Sequence, residues 1–276
     1  MSRTISTEAV VGHYAPASLL DRVKDAIRAA GFADDAILTV DDLAAFDQFH
    51  TRGIEATVDL AALAGVSSEM RVLDVGAGIG GPARHLAARH GCRVTGVDLT
   101  DAFVVVARHL TERMRLAERV SFETADATRL PFADGSFDLV WCQHVVMNIA
   151  DRPALYREMH RVLRPGGRVA TYDVVTGEGG PLHYPAPWAE HPDQSHVISA
   201  RETARLITEA GLRIERMEDA TAPVLAMLAK GPPPVPPKLS LATIMESVFV
   251  DRISNHGRNL REDRVRVAMI VAARPA

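Results

Sequence analysis

Val72-Leu73-Asp74-Val75-Gly76-Ala77-Gly78-Ile79-Gly80-Gly81 is the stretch that decides how this 276-residue chain is read. An apolar run passes directly into a glycine turn, and a helical pattern follows at 82–89. Glycine tolerates the backbone of a tight turn and lets a ligand approach the main chain. The helix behind the turn offers free N–H groups at its start.

Outward from this segment, apolar runs alternate with helical stretches. Runs at 71–75, 93–97, 120–124, 137–142 and 168–175 are separated by helical patterns at 82–89, 102–116 and 153–163. That alternation predicts a parallel sheet with helices on both faces. Most runs are apolar throughout, as for strands buried on both sides. A helix at 201–210, a strand at 212–217 and a strong last strand at 264–273 complete seven strands. Upstream, Leu19, Leu20, Val23 and Ile27 repeat at helical spacing within 15–30, and Gly31 reads as the stop. A second helix spans about 53–63 and ends near Gly65. The Gly- and Pro-rich stretch 176–199 reads as an ordered loop, because it also holds Tyr184 and Trp188. Five prolines in 232–237 predict extended chain, and a last helix is expected over 241–255. No internal repeat is visible.

Composition narrows the function. With 47% hydrophobic and 24% charged residues, the chain is an ordinary globular protein, long enough to bury a full core. The two cysteines, Cys92 and Cys142, form no CxxC pair and point to a reducing compartment. A net charge of −4 argues against a nucleic-acid partner. The first residues lack a signal-peptide core, and no stretch approaches the ~20 apolar residues of a membrane span, so a cytoplasmic location is expected. His183, His191 and His196 match no zinc spacing, so no metal is expected.

Alone, the glycine turn is ambiguous. Gly76, Gly78 and Gly81 satisfy the dinucleotide pattern GxGxxG, and Gly76, Gly78 and Gly80 satisfy the GxGxG turn of S-adenosylmethionine sites. Asp98 ends the second run about twenty residues on, where an acid accepts ribose hydroxyls in either case. Asp126-Ala127 after the third run, and Arg164-Pro165-Gly166-Gly167 as a sharp stop before the fifth, favour the second reading.

With these four motifs in order, the chain resembles the class I S-adenosylmethionine-dependent methyltransferases over at least 70–175. The string at 73–83 is most similar to the small-molecule branch with sterol, tocopherol and sarcosine/dimethylglycine methyltransferases, where Cys or Ser often stands in place of Ala77. The resemblance implies a doubly wound, Rossmann-like, seven-stranded and mostly parallel sheet with a last antiparallel strand and a helical lid. It implies a lid segment at 1–65 and a methyltransferase domain at 66–276, with lid insertions near 176–199 and 221–259. By position, Asp74 would orient the methionine amino group. Gly76, Ala77, Gly78 and Ile79 would line methionine and ribose. Asp98 would hold the ribose with Leu99 against adenine, Asp126 and Ala127 would bind adenine, and Gln143 would meet the methionine.

On the acceptor side, His144 and Asn148 follow the fourth strand, where doubly wound folds bind ligands. An imidazole can act as general base there, or simply pack. Phe49 and His50 from the N-terminal segment, and Tyr184 and Trp188 from the long loop, are the other pocket candidates. Arg258 and Arg261 read as surface residues rather than partners of an anionic acceptor. The leading function is methyl transfer to N, O or C of a small molecule. A nicotinamide-dependent oxidoreductase and a cofactor-binding protein that no longer methylates are the alternatives. An Asn/Asp-Pro-Pro-aromatic motif of nucleic-acid methyltransferases is missing after the fourth strand.

Overall fold

The computed structural model describes residues 19–231, 237–241 and 248–276. One sheet holds β1 (Arg71–Val75), β2 (Arg93–Asp98), β3 (Val120–Thr124), β4 (Phe137–Gln143), β5 (Leu163–Thr176), β6 (Arg213–Asp219) and β7 (Val265–Ala273). Their order is β3-β2-β1-β4-β5-β7-β6. The pairs from β3 to β5 are parallel, and β7 runs antiparallel to both β5 and β6. This is the expected architecture. Most of the proline run at 232–237 and the first part of the expected last helix, 242–247, lie outside the described residues.

The strands alternate their side chains between two cores. Leu139, Trp141, Val72 and Val94 point to one face, with Leu86 and Phe122. Val140, Cys142, Leu73 and Val75 point to the other, with Tyr156 and Met159. Helices α4 (Gly81–His90) and α5 (Asp101–Arg113) connect β1 to β2 and β2 to β3, while α6 (Arg152–Val162) connects β4 to β5. The connections from β1 and from β4 therefore leave in opposite directions along the sheet. Between the carboxyl ends of these two strands a crevice opens, the usual ligand site of such sheets.

Upstream of β1 lie α1 (Leu19–Ala29), α2 (Val40–Leu43) and α3 (Ile54–Ala64). Helix α3 ends at Gly65, which is left-handed at φ 65° and donates back to the last turn, as a helix stop should. A third core joins Val23, Ile27, Leu43 and Phe46 to Ile79 and Phe103, so the N-terminal segment packs on the glycine turn and α5. Arg84 of α4 is fully buried, and its Nη2 donates to Asp47 Oδ2 at 2.8 Å. The approach is so close that a Cβ on Gly81 would stand 2.2 Å from the Asp47 carbonyl oxygen.

One local expectation is corrected. Arg164-Pro165-Gly166-Gly167 does not precede the fifth strand but lies inside β5. Pairing jumps from Phe137 with Leu163 to Leu139 with Arg168, so these residues bulge out of the ladder. Gly166 takes a φ of 74°, and its N–H donates to the Arg274 carbonyl just past β7. Downstream, α7 (Ala200–Glu209), α8 (Thr221–Lys230) and α9 (Val248–Arg261) are added, with α8 and α9 flanking the carboxyl-end crevice. No helix among the described residues is long and apolar enough to cross a membrane.

The Arg84–Asp47 pair makes a testable stability claim. Arg84→Met leaves a buried carboxylate without its partner and is expected to cost about 3–5 kcal/mol. Combining it with Asp47→Leu removes the stranded charge and should recover much of the loss. Urea unfolding of wild type, single and double variants checks this; a double variant no better than the single would show that the charge pair is not the cause.

Candidate active site

At the carboxyl ends of β1 and β4 lies a cavity of about 410 Å³. The glycine turn forms its floor. Gly76 and Ala77 donate their N–H groups to the Val97 carbonyl, which ties the turn to β2. Gly78 has a φ of 54°, and the nearest atom to a Cβ there would be Phe49 Cδ2 at 3.7 Å. That turn needs glycine for its backbone, and it leaves room above it.

Three carboxylates line this end. Asp98 Oδ2 accepts from Gly78 N at 2.8 Å and its Oδ1 from Thr100 N at 2.9 Å. Burial pushes its carboxyl up from the ordinary value despite these bonds. Asp126 caps its own turn, with Oδ1 accepting from Thr128 N and Oγ1. Asp74 is only 2% exposed and its Oδ2 has no hydrogen-bond partner. Burial, reinforced by the charge of Asp98, raises its carboxyl to about 7. A buried carboxylate with an orphaned oxygen fits a cationic group that the protein itself does not supply.

Gln143 completes this end. Its Oε1 accepts from Trp141 Nε1 at 2.9 Å and lies 3.2 Å from Thr57 Oγ1, while Nε2 is buried and unpartnered. Thr57 Oγ1 is also within reach of Gln48 Oε1 and His50 Nε2, so a polar chain links the end of β4 to the N-terminal segment.

His144 sits where β4 ends and takes a φ of 54°. Two things hold a non-glycine residue in that conformation. Its own N–H donates to the Tyr172 carbonyl at 2.8 Å. The next two N–H groups, of Val145 and Val146, donate to Asp173 Oδ1 at 2.9 and 3.2 Å. Burial raises the Asp173 carboxyl to about 6. The His144 ring stacks on Tyr172, with centroids 5.1 Å apart, and its Nε2 is buried without a partner. Burial first, then the neighbouring His50 and His256, holds the imidazole well below its usual value and hence neutral. His50 and His256 are also buried and pushed down to about 4.

Of the residues singled out from sequence, Asp74, Gly76, Ala77, Gly78, Asp98, Leu99, Asp126, Ala127 and Gln143 line this cavity, as do Phe49, His50, His144, Asn148 and Trp188. Two do not. Ile79 is buried in the third core, and its carbonyl accepts from Arg84 Nη1 at 2.7 Å. Tyr184 packs against the core beneath the long loop instead of facing the cavity. Arg258 and Arg261 are exposed, and Arg258 pairs with Glu262. Sequence reading missed Asp47, Arg84, Asp173 and His256. Each acts through a partner distant in the chain, as with Thr51 and His256, 205 residues apart.

Asp74 carries a stability test. Its folded value, about 7, lies above the ordinary 3.8, so the unfavourable ionisation grows as pH rises between these two values and is complete above 7. Asp74→Asn should therefore stabilise the free protein more at pH 8 than at pH 5.5, by about 2 kcal/mol more from the remaining span. Denaturant unfolding at both pH values measures it. An equal effect at both would mean that Asp74 is not raised.

Comparison with known proteins fits this geometry. Residues 73–171 match the family model described as a methyltransferase domain. The 27-O-demethylrifamycin SV methyltransferase of Amycolatopsis mediterranei is 32% identical over 231 residues, covering 80% of this chain and 79% of that protein. Methyltransferase GfsG of Streptomyces halstedii is 42% identical over 134 residues, covering 49% of this chain, and the chain spans about half of that relative's length, 48%. Among solved structures, the geranyl diphosphate C-methyltransferase of Streptomyces coelicolor aligns with a TM-score of 0.69 over 99% of this chain and 98% of that one, at 20% identity. With its sheet order, its glycine turn and these relatives, the chain belongs to the S-adenosylmethionine-dependent methyltransferases.

Proposed function

We propose that this protein transfers the methyl group of S-adenosylmethionine to nitrogen, oxygen or carbon of a small molecule, as a cytoplasmic enzyme of specialised metabolism. The unpartnered Oδ2 of buried Asp74, in a cavity beside the glycine turn, is the observation that carries the reading. The bound cofactor supplies an already activated methyl on a sulfonium, so the protein's task is chiefly to position and align. Asp74 would accept from the methionine ammonium, and Gln143 Nε2 would donate to the methionine carboxylate. Gly78 would lie under the ribose, and Asp98, already oriented by two backbone N–H groups, would accept its hydroxyls. Leu99, Asp126 and Ala127 would hold the adenine.

Residues 19–65 and the described parts of 221–259 act in this reading as two halves of a lid over the domain at 66–276; residues 1–18 of the expected lid lie outside the described residues. Phe49 and His50 come from the first half. Met227, Leu228, Ile253 and His256 come from the second, and all line the same cavity. The long loop adds Pro187 and Trp188. Cys92 and Cys142 are buried free thiols, which supports a reducing compartment. The family match leaves the nicotinamide alternative without support.

Calorimetry with S-adenosylhomocysteine and with NAD tests the assignment. S-adenosylhomocysteine should bind and NAD should not; the reverse would sink it. Asp98→Ala should weaken S-adenosylhomocysteine by about 1.5–3 kcal/mol, the usual worth of hydrogen bonds to a charged group. Unchanged affinity would remove Asp98 from the ribose site.

A further inference from the structure

Gly76, the first residue beyond β1, has a φ of 72°, and a Cβ built on it would stand 2.2 Å from Val145 Cγ2. The space beside the first glycine of the turn is therefore already taken by a side chain from the segment that follows β4. Val145 is partly buried and lines the cavity. Adjacent strands bring the two together: β1 pairs with β4 as far as Val75 opposite Cys142, so Gly76 and the residues after Gln143 leave the sheet side by side. Asp74 and Gln143, read above as partners of the methionine ammonium and carboxylate, stand at the ends of these same two strands. Val145 with Gly76 thus walls the methionine end of the seat. Asp98, Leu99 and Asp126, at the adenosine end, come from the ends of β2 and β3 instead.

What holds Val145 in place comes from the neighbouring strand. Asp173 in β5 is 6% exposed and is not among the residues that line the cavity. Its Oδ1 accepts from Val145 N at 2.9 Å and from Val146 N at 3.2 Å. A carboxylate shared by two successive N–H groups fixes both peptide planes, and bonds to a charged acceptor are among the stronger ones in proteins. The charge of Arg152 works against the effect of burial on this carboxyl, which stands at about 6 and is ionised at pH 8. Arg152 braces the far side of the same segment. Its Nη2 donates to the His196 carbonyl, while His196 N donates to the Met147 carbonyl at 2.9 Å.

We propose that Asp173 is a positioning residue for the cofactor: through the N–H groups of Val145 and Val146 it sets the Val145 side chain against Gly76, and so shapes the methionine end of the S-adenosylmethionine seat without touching the cofactor. This rests on the cofactor reading above and adds to it a residue buried in β5. The effect is confined to one end of the ligand. Loss of Asp173 therefore discriminates between ligands that carry the amino-acid chain and ligands that lack it, which a general loss of packing does not.

Calorimetry at pH 8 compares S-adenosylhomocysteine with 5′-methylthioadenosine, which keeps adenine, ribose and sulfur but lacks the amino-acid chain. Asp173→Ala is expected to weaken S-adenosylhomocysteine about tenfold, the scale of one hydrogen-bonded contact, and to leave 5′-methylthioadenosine within about twofold. Asp173→Asn, whose amide oxygen can still accept from both N–H groups, should stay within about threefold of wild type for both ligands. Two readouts hold even where the alanine variant does not fold. Val145→Ala, which thins the wall and keeps the buried carboxylate, should weaken S-adenosylhomocysteine alone. In wild-type protein, the Val145 and Val146 amide resonances should shift more with S-adenosylhomocysteine than with 5′-methylthioadenosine. Equal weakening of both ligands in Asp173→Ala, no recovery in Asp173→Asn, wild-type affinity in Val145→Ala, or equal amide shifts with the two ligands would overturn the inference. Failure of wild-type protein to bind S-adenosylhomocysteine would instead defeat the cofactor assignment.

Discussion

The buried ion pair between Arg84 and Asp47 is the constraint around which the site is arranged. Arg84 is fully shielded from water, and its Nη1 also donates to the Ile79 carbonyl. One side chain thus fixes the far end of the glycine turn and the N-terminal segment together. A charge buried this completely is tolerated only with partners, so the two elements cannot separate without stranding it. Gly81 lets the Asp47 main chain lie directly on α4, where any larger residue would collide. From that contact follow the placements of Gln48, Phe49 and His50 above the turn.

On the other side of the crevice a second carboxylate does comparable work. Asp173 accepts from the two N–H groups after His144, so the chain leaves β4 in a left-handed turn rather than continuing as strand. A left-handed residue with a Cβ is costly and persists where its surroundings over-determine it. The Tyr172 carbonyl and the stacked Tyr172 ring add to that determination. His144 is therefore a held group and not one that happens to reach the cavity.

How much of this was legible in the sequence depended on the range of the interaction. Strand runs, glycine spacing and Asp98 are local patterns, and the sheet order, the turn and the cavity lining agree with them. Where Ile79 sits is not a local matter: its neighbours in sequence line the cavity, whereas its carbonyl accepts from a side chain five residues on that is itself held by Asp47. The Arg-Pro-Gly-Gly segment reads locally as a stop, yet β4 pairs with β5 on both sides of it, and it survives as a bulge. His256 carried no local signal at all. Its neighbours are Thr51, Trp188 and His144, which the fold alone brings together.

The cavity also sorts charge along its length. Acidic groups gather at the end with the glycine turn, and neutral imidazoles gather at the other. Burial holds all three histidines uncharged over the physiological range. A sulfonium ion between these two ends would face carboxylates behind it and neutral imidazoles ahead of it. Protonated imidazoles there would repel such a donor, so their desolvation preserves its binding.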